Sequence, residues 1–142
     1  MHELRTRRRV EFSDTDMGGI CHFSRFLVFM EIAEHEFLNA LGTSVHVEVD
    51  GKKIGWPRVS VSCEFHAPAR FGETVEIHVQ VARKGAKSLT FRHTLTRGDI
   101  LLAKGTMTSV CCILNDPSGV KAIPIPEEVA EKIEEAGERP SE

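Results

Sequence analysis

The chain reads as an α+β fold in which one long buried helix lies against a curved antiparallel sheet, and two patterns predict it. A helical run of apolar residues occurs once, over residues 26–41. After Pro57, four segments alternate apolar and polar residues with period two, and no helical pattern separates them. Parallel strands need crossovers of a dozen or more residues, so the sheet is expected to be an antiparallel meander or close to it. The helix would cover one face of that sheet. The 142 residues, 41% hydrophobic and 27% charged, suffice for a real core, so one domain over 1–142 is expected.

The elements follow in order. Residues 3–12 put Leu4, Thr6, Arg8, Val10 and Phe12 on one face of a strand and Arg5, Arg7, Arg9 and Glu11 on the other. Such a basic face reads as solvated or edge-protecting, with phosphate binding as the sharper alternative. Two acids, Asp14 and Asp16, then lead into Gly18 and Gly19. The helix follows, with Ser24 expected as its N-cap and Phe23 and Val28 as a hydrophobic staple. Its apolar residues, from Phe26 and Leu27 to Leu38 and Leu41, cover more than half the circumference, which predicts burial on most sides. Gly42 is the expected stop. Glu31, Glu34, His35 and Glu36 form the polar remainder, expected in solvent, and Glu31 is the one placed to face a pocket or a subunit interface.

Val45, Val47 and Val49 alternate up to Asp50-Gly51, a hairpin pair, suggesting a short flap. Residues 58–65 turn Val59, Val61, Cys63 and Phe65 inward, and residues 74–81 do the same with Val75, Ile77, Val79 and Val81. A Lys-Gly-Ala-Lys turn at 84–87 leads to a third strand, and residues 99–114 read as one last long strand. Residues 126–142 begin with proline and read as a short acidic helix and tail.

Composition excludes several classes. The net charge is −3, but the tail from Pro126 holds seven glutamates against Lys132 and Arg139, leaving the rest of the chain mildly basic. That does not suggest a nucleic-acid protein. Cys21, Cys63, Cys111 and Cys112 lack metal-ligand spacing, and no secretory segment precedes them, so a reducing cytoplasm is expected and no metal. No apolar run approaches the ~20 residues of a membrane span. His46, His66, His78 and His93 are scattered through strands or flap and read as structural.

The DxD-glycine stretch before the helix carries the chemistry. First-turn amides of a helix lack intrahelical acceptors and polarise a carbonyl oxygen, so a carboxylate facing them is acyl-transfer geometry. A helix-flanked calcium loop fails, because Gly18 and Arg25 occupy its fifth and twelfth positions. A phosphoryl-transfer aspartate is disfavoured, since Gly18 stands where such a signature has threonine and the expected antiparallel sheet lacks the parallel strands that fold requires. No serine sits in a G-x-S-x-G setting.

The run DTDMGGICHFSRFLVFMEIAEHEFL closely resembles the signature of the 4-hydroxybenzoyl-CoA thioesterase family. EFHAPARFGETVEI resembles that family's strand, Pro-Ala turn and strand, and LLAKGTMTSVCCI its last strand, so the likeness extends to about Pro126. It implies a hotdog fold and hydrolysis of an acyl-CoA, with coenzyme A as part of the substrate and no resident cofactor. Carried over by position, Asp16 matches the catalytic nucleophile or general base, and Phe23 the residue whose backbone N–H polarises the thioester carbonyl. Gly18 and Gly19 would admit the substrate, while Asp14 orients the turn. One branch of the family has tyrosine then histidine where this chain has His22 and Phe23, and tyrosine where it has Phe26, which makes His22 a candidate helper base one position early. Candidate substrate contacts are Phe26, Phe29, Met30, Val59 and Val61 for the acyl group, and Arg70, Arg83, Lys84, Lys87 and Ser88 for phosphates. The resemblance also implies a homodimer, or a tetramer of two, with Glu31 or Val59 serving the neighbour's site. A catalytically silent hotdog protein that binds acyl-CoA or an acyl carrier, or serves as a scaffold, is the rival from another class, and the acid opposite helix-end amides speaks against it. A hotdog dehydratase would want a histidine and acid pair at other positions.

Overall fold

The structure is a computed structural model that describes residues 1–137. The last residues of the expected acidic tail lie outside the described residues. Strand β1 (Glu3–Arg9) precedes a single 3₁₀ turn at Phe12–Asp14 and the long helix α1 (Phe23–Ala40). Strands β2 (Val47–Val49), β3 (Lys52–Gly55), β4 (Arg58–Phe65), β5 (Thr74–Lys84), β6 (Ser88–Arg97), β7 (Ile100–Val110), β8 (Cys112–Asp116) and β9 (Gly119–Ala122) follow, then α2 (Glu127–Ala130).

The strands form two sheets rather than the single one expected. The larger has order β1-β5-β6-β7-β4 and the smaller β2-β3-β8-β9, all pairs antiparallel. The expected last strand over 99–114 is divided at Cys111. There the backbone stops pairing with β6: Cys111 N–H donates to Lys87 and its carbonyl accepts from Ile123, while Cys112 pairs with Gly55 in the smaller sheet. Nothing in the local sequence marks this break, because it arises where one strand runs past the end of its neighbour and finds another.

Val75, Ile77, Val79 and Val81 are buried on the inner face of β5, as their alternation predicts. Strand β4 behaves differently. Its register with β7 puts Val61, Cys63 and Phe65 on the inner face, yet Val59 is 63% exposed, Val61 48% and Phe65 48%. The helix spans the middle of the sheet and does not cover this edge. Strand β1 forms the other edge, and its row of Arg5, Arg7 and Arg9 fits the edge-protecting reading; the Arg9 guanidinium sits over Phe71.

In α1, Phe26, Phe29, Met30, Ala33, Phe37 and Leu38 form one buried stripe, and Leu27, Val28 and Ile32 are only half-buried. One face, not most sides, is therefore sunk into the protein. The helix also starts earlier than expected. His22, not Ser24, is the N-cap, and Phe23 is the first helical residue rather than a staple before the cap. Gly42 ends the helix at φ +85°, and Asp50 and Gly51 both have positive φ in the β2–β3 hairpin turn. The tail helix is confined to four residues.

Two core features were not foreseen. Gly105 of β7 faces Met30, and a Cβ built there would come within 2.6 Å of the Met30 Sδ, so glycine lets helix and sheet approach closely. Glu34, expected in solvent, is 4% exposed, its carboxylate 2.5 Å from Arg58 Nη1 and 3.1 Å from His93 Nε2. These are charge contacts out of hydrogen-bond alignment, and His93 is fully buried with no partner at Nδ1 among the described residues. They tie the start of β4 to the helix, and Glu31 joins weakly at 3.7 Å from Arg58.

Gly105→Ala is expected to cost about 1–3 kcal/mol by overpacking against Met30, measured by urea denaturation. Arg58→Met strands a carboxylate in the core and should destabilise by about 3 kcal/mol, and adding Glu34→Leu should restore most of that loss.

Candidate active site

The chain between β1 and α1 is built around Asp14. Its Oδ2 accepts from the Glu11 amide at 2.8 Å, its Oδ1 accepts from Arg25 Nε at 2.7 Å, and its backbone carbonyl accepts from the His22 amide at 2.8 Å. Buried and satisfied on each side, it joins the 3₁₀ turn to the first turn of α1.

Asp16 sits two residues on, exposed, at the start of a closed turn. Its amide donates to the Ile20 carbonyl at 2.9 Å, its carbonyl accepts from Gly19 at 3.0 Å, and its Oδ1 accepts from the Gly18 amide at 2.8 Å. Gly19 has φ +77°, which a side chain would oppose. A Cβ at Gly18 would stand 3.1 Å from the carboxylate oxygen, so this glycine leaves the acid room. A bridge from Thr15 to Cys21 closes the turn, and a bridge from Ile20 to Arg70 holds it against the Pro-Ala segment.

At the helix entrance the amides divide among acceptors. His22 Nδ1 accepts from the Ser24 amide at 3.3 Å and lies 2.8 Å from Ser24 Oγ, while the His22 carbonyl accepts from the Arg25 amide at 2.9 Å. Phe23, as first helical residue, has an N–H with no intrahelical acceptor. Among the described residues it is a free donor at the positive end of the helix.

Asp16, His22, Phe23 and Phe26 line one cavity of about 490 Å³. Ile20 and Cys21 complete the loop side, and Phe65, His66, Ala67 and Pro68 come from the end of β4. Phe65 packs edge-on to Phe23 at 6.2 Å between centroids and lies 5.9 Å from Phe26, so three aromatic rings form the apolar wall. Burial pushes the Cys21 thiol up to about 11, with the Asp14 charge adding to the effect. It is a neutral packing group, not a nucleophile. Among the described residues, no group of three or more histidine, cysteine or acidic side chains is placed to hold a metal ion. The arrangement offers one exposed carboxylate, one free backbone donor and an apolar floor, the groups needed to attack and polarise an acyl carbonyl.

Not every sequence candidate converges here. Glu31 and Val59 lie away from this cavity in the single chain. Arg83, Lys84, Lys87 and Ser88 sit at the β5–β6 turn, the far end of β5, roughly 30 Å along an eleven-residue strand. There the Lys84 ammonium donates to the carbonyls of Ala130 and Ile133 and steadies the tail. Sequence reasoning passed over Ile20, Cys21, Phe65 and His66 as cavity residues. Phe65 was legible only as an inward strand position, and the loop residues carried no chemical signal.

Residues 18–104 match the thioesterase superfamily. The chain is 25% identical over 121 residues to the acyl-CoA thioesterase YbgC of Haemophilus influenzae, covering 85% of this chain and 87% of that one. The gentisyl-coenzyme A thioesterase BH1999 superposes with a TM-score of 0.77 at 32% identity, over 89% of this chain and 96% of that one. The 4-hydroxybenzoyl-CoA thioesterase of Pseudomonas sp. strain CBS-3 superposes with a TM-score of 0.78 over 92% and 99% of the two chains, and at 23% identity that likeness is one of fold. With its long helix packed on antiparallel sheets in the hotdog arrangement, the chain belongs to the thioesterase superfamily.

Proposed function

We propose that the protein, a single catalytic domain, hydrolyses an acyl-CoA thioester to a free acid and CoA, with Asp16 as nucleophile or general base. The observation that carries this reading is the shared cavity, in which an exposed carboxylate and the free Phe23 N–H border an apolar floor. Relatives named as acyl-CoA and gentisyl-CoA thioesterases support it. Thioesters are activated acyl groups, so an oriented carbonyl, one donor and one carboxylate suffice. As Asp16 or the water it activates adds to the carbonyl carbon, the electron pair moves to the carbonyl oxygen, where the Phe23 N–H holds the charge. Collapse expels the CoA thiolate: where water attacked, the free acid is left and Asp16 passes the proton it took to the thiolate, and where Asp16 attacked, an acyl-aspartyl anhydride is left that water then hydrolyses to the acid. Coenzyme A enters as part of the acyl-CoA substrate and leaves as the free thiol product, and no resident cofactor is required.

The working unit in this reading is a homodimer joined through β4. This strand is an unpaired sheet edge that exposes Val59, Val61 and Phe65, a combination that monomeric proteins avoid. A two-fold between two β4 strands pairs them antiparallel, so the Arg58 end of one copy meets the Phe65 end of the other. Val59 and Glu31 then reach the neighbour's cavity, and the turn bearing Arg83, Lys87 and Ser88 comes to that side, since Ser88 pairs with Val110 beside Arg58. Residues scattered in one chain thus gather about one site, with the basic turn placed toward the CoA phosphates. The four cysteines are free thiols, which suits a reducing cytoplasm.

Thiol release from a panel of aromatic, short-chain and long-chain acyl-CoAs should show turnover of at least one member, and Asp16→Asn should lower it by on the order of 10²-fold or more. An equally active variant would remove Asp16 from the chemistry. Val61→Lys should convert the dimer to a monomer in sedimentation equilibrium; a variant that stays dimeric would place the interface elsewhere.

A further inference from the structure

We propose that His22 is a second hydrogen-bond donor to the thioester carbonyl oxygen, acting through Nε2–H because the helix cap occupies its other ring nitrogen. This rests on the thioesterase reading and adds to it a residue and a direction of proton sharing. The cap decides the direction. A backbone N–H can only donate, and the Ser24 amide donates to His22 Nδ1. That nitrogen therefore carries no proton, and the nearby Ser24 hydroxyl fits as a second donor to it. The ring's proton is left on Nε2.

The place of the ring does the rest. Nδ1 points back at the helix start, so Nε2, across the ring, points away from it, and His22 borders the same cavity as Asp16 and Phe23. The imidazole lies against the Phe23 ring, with centroids 4.6 Å apart and planes 35° from parallel, which holds its orientation. Its backbone is held as well, with the His22 amide on the Asp14 carbonyl and the His22 carbonyl on the Arg25 amide. A donor fixed before substrate arrives needs no reorganisation as charge develops on the oxygen.

A general-base role, the expectation from sequence, would need an unprotonated Nε2 and a proton on Nδ1. That tautomer would aim N–H at the Ser24 N–H and break the cap. In the donor role no proton changes place: the electron pair that arrives on the carbonyl oxygen is shared by Nε2–H and the Phe23 N–H, and returns when the carbon–sulfur bond breaks and the thiolate leaves.

The test pairs a variant with a direct reading of the ring. Serine is a good N-cap, so His22→Ser keeps an acceptor for the first-turn amides while removing the donor. Its Tm should stay within about 2 °C of wild type. Its kcat on the best acyl-CoA should fall roughly 10²–10³-fold with KM little changed, the loss typical of one oxyanion donor. Long-range ¹H–¹⁵N correlation on wild-type protein should show Nε2 protonated and Nδ1 bare, a result that does not depend on any variant folding. A proton on Nδ1 overturns the proposal. So does a His22→Ser enzyme within about threefold of wild-type kcat while Asp16→Asn is inactive, which leaves the thioesterase reading standing. If wild type cleaves no acyl-CoA, that reading falls and the donor role with it.

Discussion

Everything at the site depends on where α1 lies on the sheet, and burial of one apolar stripe decides that. Phe29, Met30, Ala33 and Phe37 share one core with Val75, Ile77, Val79, Leu95 and Met107 of the sheet, each nearly or wholly removed from water. The contact is close because Gly105 offers no side chain beneath Met30. Packing of this kind is stiff, since close-packed side chains leave no slack for the helix to slide or roll. The first turn of α1 therefore arrives at one fixed position beside the loop that carries Asp16.

The two acids of the DxD motif divide their labour by environment. Asp14 is buried, accepts hydrogen bonds from Glu11 and Arg25, and holds the loop to the helix. Asp16 is exposed, and its fixed contact is the Gly18 amide. A carboxylate whose lone pairs are consumed by fixed donors is a structural strut, whereas one facing open space has lone pairs for a substrate. The same division recurs at the helix start, where the Ser24 and Arg25 amides are taken and the Phe23 amide is not. In the proposed reaction, chemistry falls to the groups that folding leaves unsatisfied.

The edge strand β4 links this site to the proposed second copy. One end of β4 lends Phe65 to the cavity, and the other is anchored in the core by Arg58 on Glu34. Such a buried ion pair adds little net stability but specifies geometry, since a slipped strand would strand a charge. An edge both apolar and held in place is suited to self-association, and antiparallel pairing about a two-fold would bring each copy's anchored end to its partner's cavity.

The sequence by itself determined what rests on local rules. Its periodicities distinguished one helix from many strands, the glycines at 18, 19, 42 and 51 marked the turns, and two acids were placed just before the helix start, because side-chain alternation, positive φ and helix-end polarity depend on nearby residues alone. Tertiary structure decided the rest. Whether Glu34 meets water or Arg58, whether Val59 is covered, and where the strand through Cys111 changes sheets depend on which distant segments arrive at each place. Even the cap fell to His22 rather than Ser24, because the His22 amide is drawn to Asp14, eight residues earlier, and the helix can begin only after it. Burial and pairing belong to contacts between elements, and a residue's type states what it would accept there, not what it will meet.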